Sequence, residues 1–435
     1  MIQFQKKSSP GHWFESEEVL VMKELEFYKG FDPLPEIDEI VDALVNDPPE
    51  VRWRVVRALF RIKDPADRRE LMQKLRAHLN QVEDFRVKGR IGMALQALGS
   101  PYRIDDCVVV KGRRAFTPAE LESSSEPQVL SEFPIVDFHI HPKSPDLKFM
   151  CDMKEAGVTH GVILSVDTDP SDVDRPEVKE EIRRDYAASR LSGTIPFEKV
   201  LHEIRSSLYT PTHITDQDVA DWVQDYPDVL IGFGSVNLSK DRSYVERKLN
   251  EIERLKLRGI KLIPHSQFFN PSENENMDLL FEYCRSTKSV ILSHSGCGPG
   301  PFEIPELSRN SHPGLWEPLV KKYTDVPVVF AHFGAYSNHL PGIWLDDVMQ
   351  MGRQYKNVYA DLAAVHTLLD VEEIVQKTRT SIGFDRVLFA TDYPLPLYLE
   401  ETLEAVVRSV KQNTMLSEAE KRSVLGENAA RLLGI

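Results

Sequence analysis

From Phe133 onward, short β-type runs alternate with amphipathic stretches, and this alternation restricts the fold more than any other feature of the chain. Eight runs stand out: Ile135–His139, Gly161–Val166, Val229–Val236, Gly259–Ile263, Val290–His294, Val328–His332, Val358–Leu362 and Val387–Thr391. Most are continuously apolar, as strands covered on both faces are. Between them lie stretches such as Tyr244–Lys256 and Met277–Arg285, whose apolar residues recur at helical spacing. Eight strands alternating with helices predict an α/β fold, a (β/α)8 TIM barrel over residues 133–435. One connection departs from this plan. Residues 167–228 make a segment of about 60 residues, far longer than an ordinary loop. It carries a charged helical pattern at Pro176–Ser192. Insertions of this size often serve as lids or binding loops.

The preceding third reads differently. From Leu34 to Leu98 the apolar period is helical, and it repeats. Val51-Arg-Trp-Arg-Val-Val-Arg-Ala-Leu59 aligns with Val87-Lys-Gly-Arg-Ile-Gly-Met-Ala-Leu95, pairing Val51 with Val87, Val55 with Ile91, Ala58 with Ala94 and Leu59 with Leu95. These positions share one helix face. Asp47-Pro48 and Asp64-Pro65 punctuate the pattern as turns. The expectation is a HEAT-like helical domain over 1–100, with an ordinary helical bundle as the alternative. A pair of repeats falls short of the roughly three that a solenoid needs, so this region should pack on another domain or subunit. Residues 101–132, with Ser123-Ser-Ser125, read as a connector, and Cys107-Val-Val-Val110 as a short strand within it.

Composition excludes several classes of function. The formal net charge of −15 repels nucleic acid and anionic membranes. No apolar run reaches the roughly 18 residues of a membrane span. The four cysteines, Cys107, Cys151, Cys284 and Cys297, lack Cys-x-x-Cys spacing, which removes zinc-finger and thioredoxin readings. Their scatter fits a reducing compartment. The polar start, Met1 to Phe14, has no signal-like apolar core, so a cytoplasmic location is expected.

The polar residues that carry chemistry gather at the C-terminal ends of the expected strands, where barrel enzymes place their active sites. The first strand ends in His139-Ile-His141, and a period of two turns both imidazoles to one side. The fourth carries Lys261 in Arg258-Gly-Ile-Lys-Leu-Ile-Pro-His265. The fifth ends at His294 in Leu292-Ser-His-Ser-Gly296, and the sixth at His332 in Phe330-Ala-His-Phe-Gly334. The eighth ends at Asp392 in Phe389-Ala-Thr-Asp-Tyr-Pro394. Each motif alone has an ordinary structural reading: a capped core histidine, or a turn-forming aspartate. Such explanations become strained when every piece ends a different strand in the right order. Imidazoles with a carboxylate suit zinc, manganese or iron. Gly296-Cys-Gly-Pro-Gly300 reads either as a flexible turn or as glycines that let the backbone approach a ligand.

This ordered set resembles the amidohydrolase superfamily, in particular its amidohydrolase-related branch. The likeness covers roughly Phe133 to Ile435 and includes Asp137-Phe-His-Ile-His141, His294, His332, Arg386-Val-Leu-Phe-Ala-Thr-Asp-Tyr-Pro394 and the closing Gly426-Glu-Asn-Ala-Ala-Arg-Leu-Leu-Gly434. The resemblance implies that His139, His141, His294 and Asp392 ligate a divalent metal, zinc first, with manganese or iron as alternatives. One ion is the usual number in this branch, two the alternative. Asp392 would act as general base, and His332 would either polarise the substrate carbonyl or bind a second ion. The implied activity is hydrolysis of an amide, ester or lactone carbonyl of a small molecule by a metal-activated water. Non-oxidative decarboxylation or hydration by the same branch is the alternative. Lys261 remains open between a carboxylated bridge, a substrate-carboxylate contact and a lysine that snorkels or pairs with an acid. His265 is either a substrate contact or a surface histidine. A homo-oligomer is compatible with the helical region, and no nucleic-acid or membrane partner is expected.

Overall fold

The structure is a computed structural model that describes residues 40–42, 65–79, 81–82, 91, 94–95, 133–141, 147–189, 191–193, 195–208, 214–337, 340, 342–394 and 403–435. The chain divides into two compact units, Met1–Val110 and Lys111–Ile435. In the first, the helix Pro65–Leu79 buries Leu71, Leu75 and Leu79, spaced four apart along one face. Ile91, Ala94 and Leu95 are also buried. The other halves of their repeat pairs, with the connector and its expected short strand, lie outside the described residues. No helix among the described residues is long and apolar enough to cross a membrane.

The second unit contains all eight expected strands: β1 (Val136–Ile140), β2 (His160–Leu164), β3 (Leu230–Ser235), β4 (Gly259–Leu262), β5 (Val290–Ser293), β6 (Val328–Phe330), β7 (Val358–Asp361) and β8 (Val387–Leu388). They form one parallel sheet in sequential order. Past β8 the chain runs on beside β1. Phe138 N donates to Phe389 O at 3.0 Å, Asp392 N to His139 O at 2.9 Å and His141 N to Tyr393 O at 2.8 Å. The sheet therefore curls into a barrel. Alternation sorts its side chains. Val136, Phe138, Val162, Leu164, Ile231, Phe233, Val290, Leu292, Val329 and Leu388 fill the interior. Ile163, Ile260, Leu262, Ile291, Val328 and Val358 face the helical layer instead.

Several strands end earlier than their apolar runs. The register between β1 and β2 slips between Asp137 and Ile140. Strict alternation would put His139 on the face opposite Val136 and Phe138. The slip lets it join them at the mouth, as irregularities beside active sites often do. At the ends of β6 and β8 the chain turns left-handed, with φ of 58° at His332, 52° at Phe333 and 61° at Asp392. Non-glycine residues in this region are uncommon and mark places where tertiary contacts override local preference.

The long β2–β3 connection is helical. The helices Pro176–Ala188 and Phe197–Leu208 carry Val178, Ile182, Val200, Leu201 and Ile204 into a separate apolar cluster with Phe268, Phe302 and Leu307. Those three partners come from the loops after β4 and β5, so the insertion docks at the C-terminal ends of the strands. Arg309 Nε reaches Asp185 at 2.7 Å, and Asn310 Nδ2 donates to Glu181 Oε1 at 2.7 Å.

The closing segment seals the opposite end. Asn428 Nδ2 donates to the carbonyls of Phe384 (2.7 Å) and Val387 (2.8 Å) at the start of β8. Gly426 lies against the entry to β1, where an added Cβ would meet Pro134 O at 1.8 Å. A backbone atom cannot swing aside as a side chain can. Gly426→Ala should therefore destabilise the barrel by about 1–3 kcal/mol, a typical overpacking cost. Urea denaturation checks this, and an unchanged midpoint would contradict the contact.

Candidate metal centre at the barrel mouth

β1, β6, β7 and the continuation of β8 bring their terminal polar residues together. His139 Nε2 and His141 Nε2 are 3.1 Å apart. Asp392 Oδ1 lies 3.5 Å from the first and 3.9 Å from the second. These three atoms form one compact donor group. Its open side is set by exposure: the side chains of His141 and Asp392 are 27% and 18% accessible, whereas that of His139 is 1%. Solvent or a ligand reaches the group from the side of His141 and Asp392.

His294 and His332 stand beside it. The His332 ring is 5.0 Å from that of His139 and 4.7 Å from that of His294. His294 meets His332 and His265 rather than the compact group itself. Lys261 rises from β4 into the interior, with Nζ 2.9 Å from His139 Nε2. Of the residues singled out in the sequence, His139, His141 and Asp392 thus converge, Lys261 and His332 flank them, and His294 and His265 form the next row.

Hydrogen bonding assigns the imidazole protons. His332 Nδ1 lies 2.9 Å from Ala363 O, a carbonyl that can only accept, so that nitrogen carries the hydrogen. His294 Nε2 faces Cys297 O at 3.1 Å and is protonated by the same reasoning. The remaining nitrogens, His332 Nε2 and His294 Nδ1, then present lone pairs to each other at 3.2 Å. His139 Nδ1 lies 2.9 Å from Asp361 Oδ2, which leaves Nε2 as the lone pair facing His141. Burial first, then neighbouring groups, hold His139, His332 and His265 well below the usual histidine range. They are neutral at pH 7, the form that ligates metals. Facing lone pairs repel unless something cationic draws them together, so this donor set fits a divalent ion. Lys261 meets only part of that need: burial lowers its pKa to about 8, so it stays an ammonium at pH 7, and its single Nζ stands at His139 Nε2.

A second group of donor atoms, on His139, His332 and Asp361, is also close. Its carboxylate is already committed. Asp361 Oδ2 holds His139, while Oδ1 accepts from His332 N at 2.7 Å and Ala363 N at 3.0 Å.

His265 is buried, not a surface histidine. Its Nδ1 meets Ser311 Oγ at 2.7 Å, and its ring packs on Phe302 at 4.8 Å. The glycine-rich turn after β5 serves this packing, since a Cβ at Gly298 would come within 2.2 Å of His265 Nε2. The close approach is to the protein's own histidine.

Asp361, Asp137 and Thr391 were not among the expected site residues. Asp361 ends β7, and the same strand-end rule that selects the histidines selects it too. Asp137 sits inside a strand and shows its role only in three dimensions. It accepts from Thr391 N at 3.0 Å and Thr391 Oγ1 at 2.6 Å, tying β1 to the residue before Asp392. Burial pushes its carboxyl up to about 7 against the pull of these hydrogen bonds. Thr391→Val keeps the shape but removes one donor, and should cost about 1–3 kcal/mol of stability. A denaturation midpoint equal to that of the unaltered protein would contradict this.

Residues 136–435 match the Amidohydrolase family, Amidohydro_2, and the chain belongs to it. No curated protein matches the chain. Among solved structures, an uncharacterized TIM-barrel protein from Bordetella bronchiseptica is 17% identical, over 69% of this chain and 99% of that one, with a TM-score of 0.49. A 5-carboxyvanillate decarboxylase from Sphingomonas paucimobilis is 13% identical over 70% and 99%, with a TM-score of 0.46. A probable 2-pyrone-4,6-dicarboxylic acid hydrolase from Acinetobacter baumannii is 15% identical over 70% and 100%, with a TM-score of 0.42.

Proposed function

We propose that this chain is a metal-dependent hydrolase that directs a metal-activated water at the amide, ester or lactone carbonyl of a small molecule. The observation that carries this reading is the convergence of His139 Nε2, His141 Nε2 and Asp392 Oδ1 within 3.9 Å of one another on the open side of the barrel. His139, His141 and Asp392 hold the ion; His294, the fourth ligand that the resemblance implies, offers Nδ1 from the next row, beside His332. Zinc is the metal proposed first, and the same donors accept manganese or iron. Bound there, the ion supplies Lewis acidity and lowers the pKa of water to about 7.

The protein groups then divide the proton work. Asp392 stands at the accessible edge and accepts the proton of the attacking water, then delivers it to the leaving group. His332 has no hydrogen to give at Nε2 while Nδ1–H is held by Ala363 O. It therefore enters as a lone-pair donor or proton acceptor, and stabilises an oxyanion only once protonated. Lys261 is the buried ammonium available to a substrate carboxylate. His265, walled in by Gly298, Phe302 and Ser311, shapes the pocket beside His294.

Elemental analysis should find about one divalent ion per chain. His141→Ala should weaken its binding beyond the roughly 10–100-fold typical of an outer-sphere change. Asp392→Asn should lower kcat on any substrate found among esters, lactones and amides by about 10²–10⁴-fold, the contribution of a general base. Reaction in ¹⁸O-water should place one label in the product acid. Unlabelled product with release of carbon dioxide would replace hydrolysis by decarboxylation, and metal-free protein with full activity would overturn the reading altogether.

A further inference from the structure

Asp361 reaches the candidate metal centre from β7 and touches two of its histidines at once. Its side chain is fully buried. Oδ2 lies 2.9 Å from His139 Nδ1, and Oδ1 accepts two backbone hydrogens, from His332 N at 2.7 Å and Ala363 N at 3.0 Å. The two backbone donors can only be met by an oxygen, so they fix which way the carboxyl group presents itself. The other oxygen is thereby aimed at His139.

We propose that Asp361 is a positioning residue that sets the tautomer of His139, keeping its hydrogen on Nδ1 and its lone pair on Nε2. The inference rests on the reading of His139 as a metal ligand. An imidazole in the opposite tautomer would carry N–H at Nε2, against Lys261 Nζ at 2.9 Å and in the direction of His141 Nε2 at 3.1 Å. It would offer a donor where the site needs an acceptor. Metal-ligating histidines commonly depend on such an outer partner, whose loss lowers metal affinity about 10–100-fold.

The geometry gives the substitution Asp361→Asn an unusual logic. The amide oxygen must stay with the two backbone donors of His332 and Ala363, which turns the NH₂ group toward His139. Nδ1 must then accept, and the hydrogen moves to Nε2. A near-isosteric change thus inverts the ligand. Asp137→Asn makes the same substitution at another buried aspartate, with a different consequence. Its oxygen can keep the backbone donors of His139 and Thr391, and its NH₂ group faces the Thr391 hydroxyl, which accepts as readily as it donates.

The test is ¹⁵N-histidine NMR of the metal-free full chain, with metal affinity measured by chelator competition using zinc. The unaltered protein should place the His139 hydrogen on Nδ1. Asp361→Asn should move it to Nε2 and lower zinc affinity about 10–100-fold, while Asp137→Asn leaves it on Nδ1. A His139 hydrogen on Nε2 in the unaltered protein would overturn the inference whether or not the variant folds. So would Asp361→Asn with zinc affinity unchanged, or Asp137→Asn lowering affinity equally with both variants still protonated at Nδ1. Protein with the expected tautomer that takes up no zinc would sink the metal reading and leave the Asp361–His139 pairing standing.

Discussion

The seam between β1 and the continuation of β8 is the constraint on which the rest of the structure depends. A parallel sheet of eight strands has two edges, and each unpaired edge is a liability unless the sheet closes. Here closure uses three backbone hydrogen bonds and the Asp137 carboxylate, which grips Thr391 across 254 residues of sequence. The same seam places Asp392 beside His139 and His141. A fold requirement and a chemical requirement are met by one set of contacts, so loosening the seam would both open the barrel and scatter the donors.

Electrostatics of the mouth follow from anchoring at the periphery. Ala363 O, Cys297 O and Asp361 each take one imidazole hydrogen, and each thereby fixes which nitrogen of His332, His294 and His139 faces inward. The result is a buried concentration of lone pairs with only a depressed lysine to balance it. In a low-dielectric interior such an arrangement is costly without a compensating charge. It is the kind of cost that recurs at functional sites rather than in ordinary cores. Asp392, with its left-handed backbone, stands at the accessible edge, where the proposed proton exchange with a ligand would take place.

Much of this was legible in the sequence because the barrel is built from local signals. All eight strands follow from apolar runs and the helical spacing between them. The pairing of His139 with His141, and their meeting with Asp392, follow from strand order. What was not legible depends on contacts distant in the chain. The register slip in β1 has no local signature, yet it decides how His139 enters the mouth. Asp361 acts on a histidine 222 residues away, so its role could be read only as a strand-end carboxylate of unknown purpose. His265 stood open between a substrate contact and a surface loop histidine because nothing in Pro264-His265-Ser266 announces the burial that Phe302 and Ser311 impose. The expected helical repeats of the first unit fall largely outside the described residues.

The central claim is that a divalent ion belongs among His139, His141 and Asp392. Anomalous diffraction from zinc-loaded crystals, collected at the zinc absorption edge, tests it most directly. The predicted result is a dominant anomalous peak about 2.0–2.2 Å from His139 Nε2, His141 Nε2 and an Asp392 oxygen. A dominant peak elsewhere in the protein, or none at this position in fully loaded crystals, would contradict a metal centre at the barrel mouth.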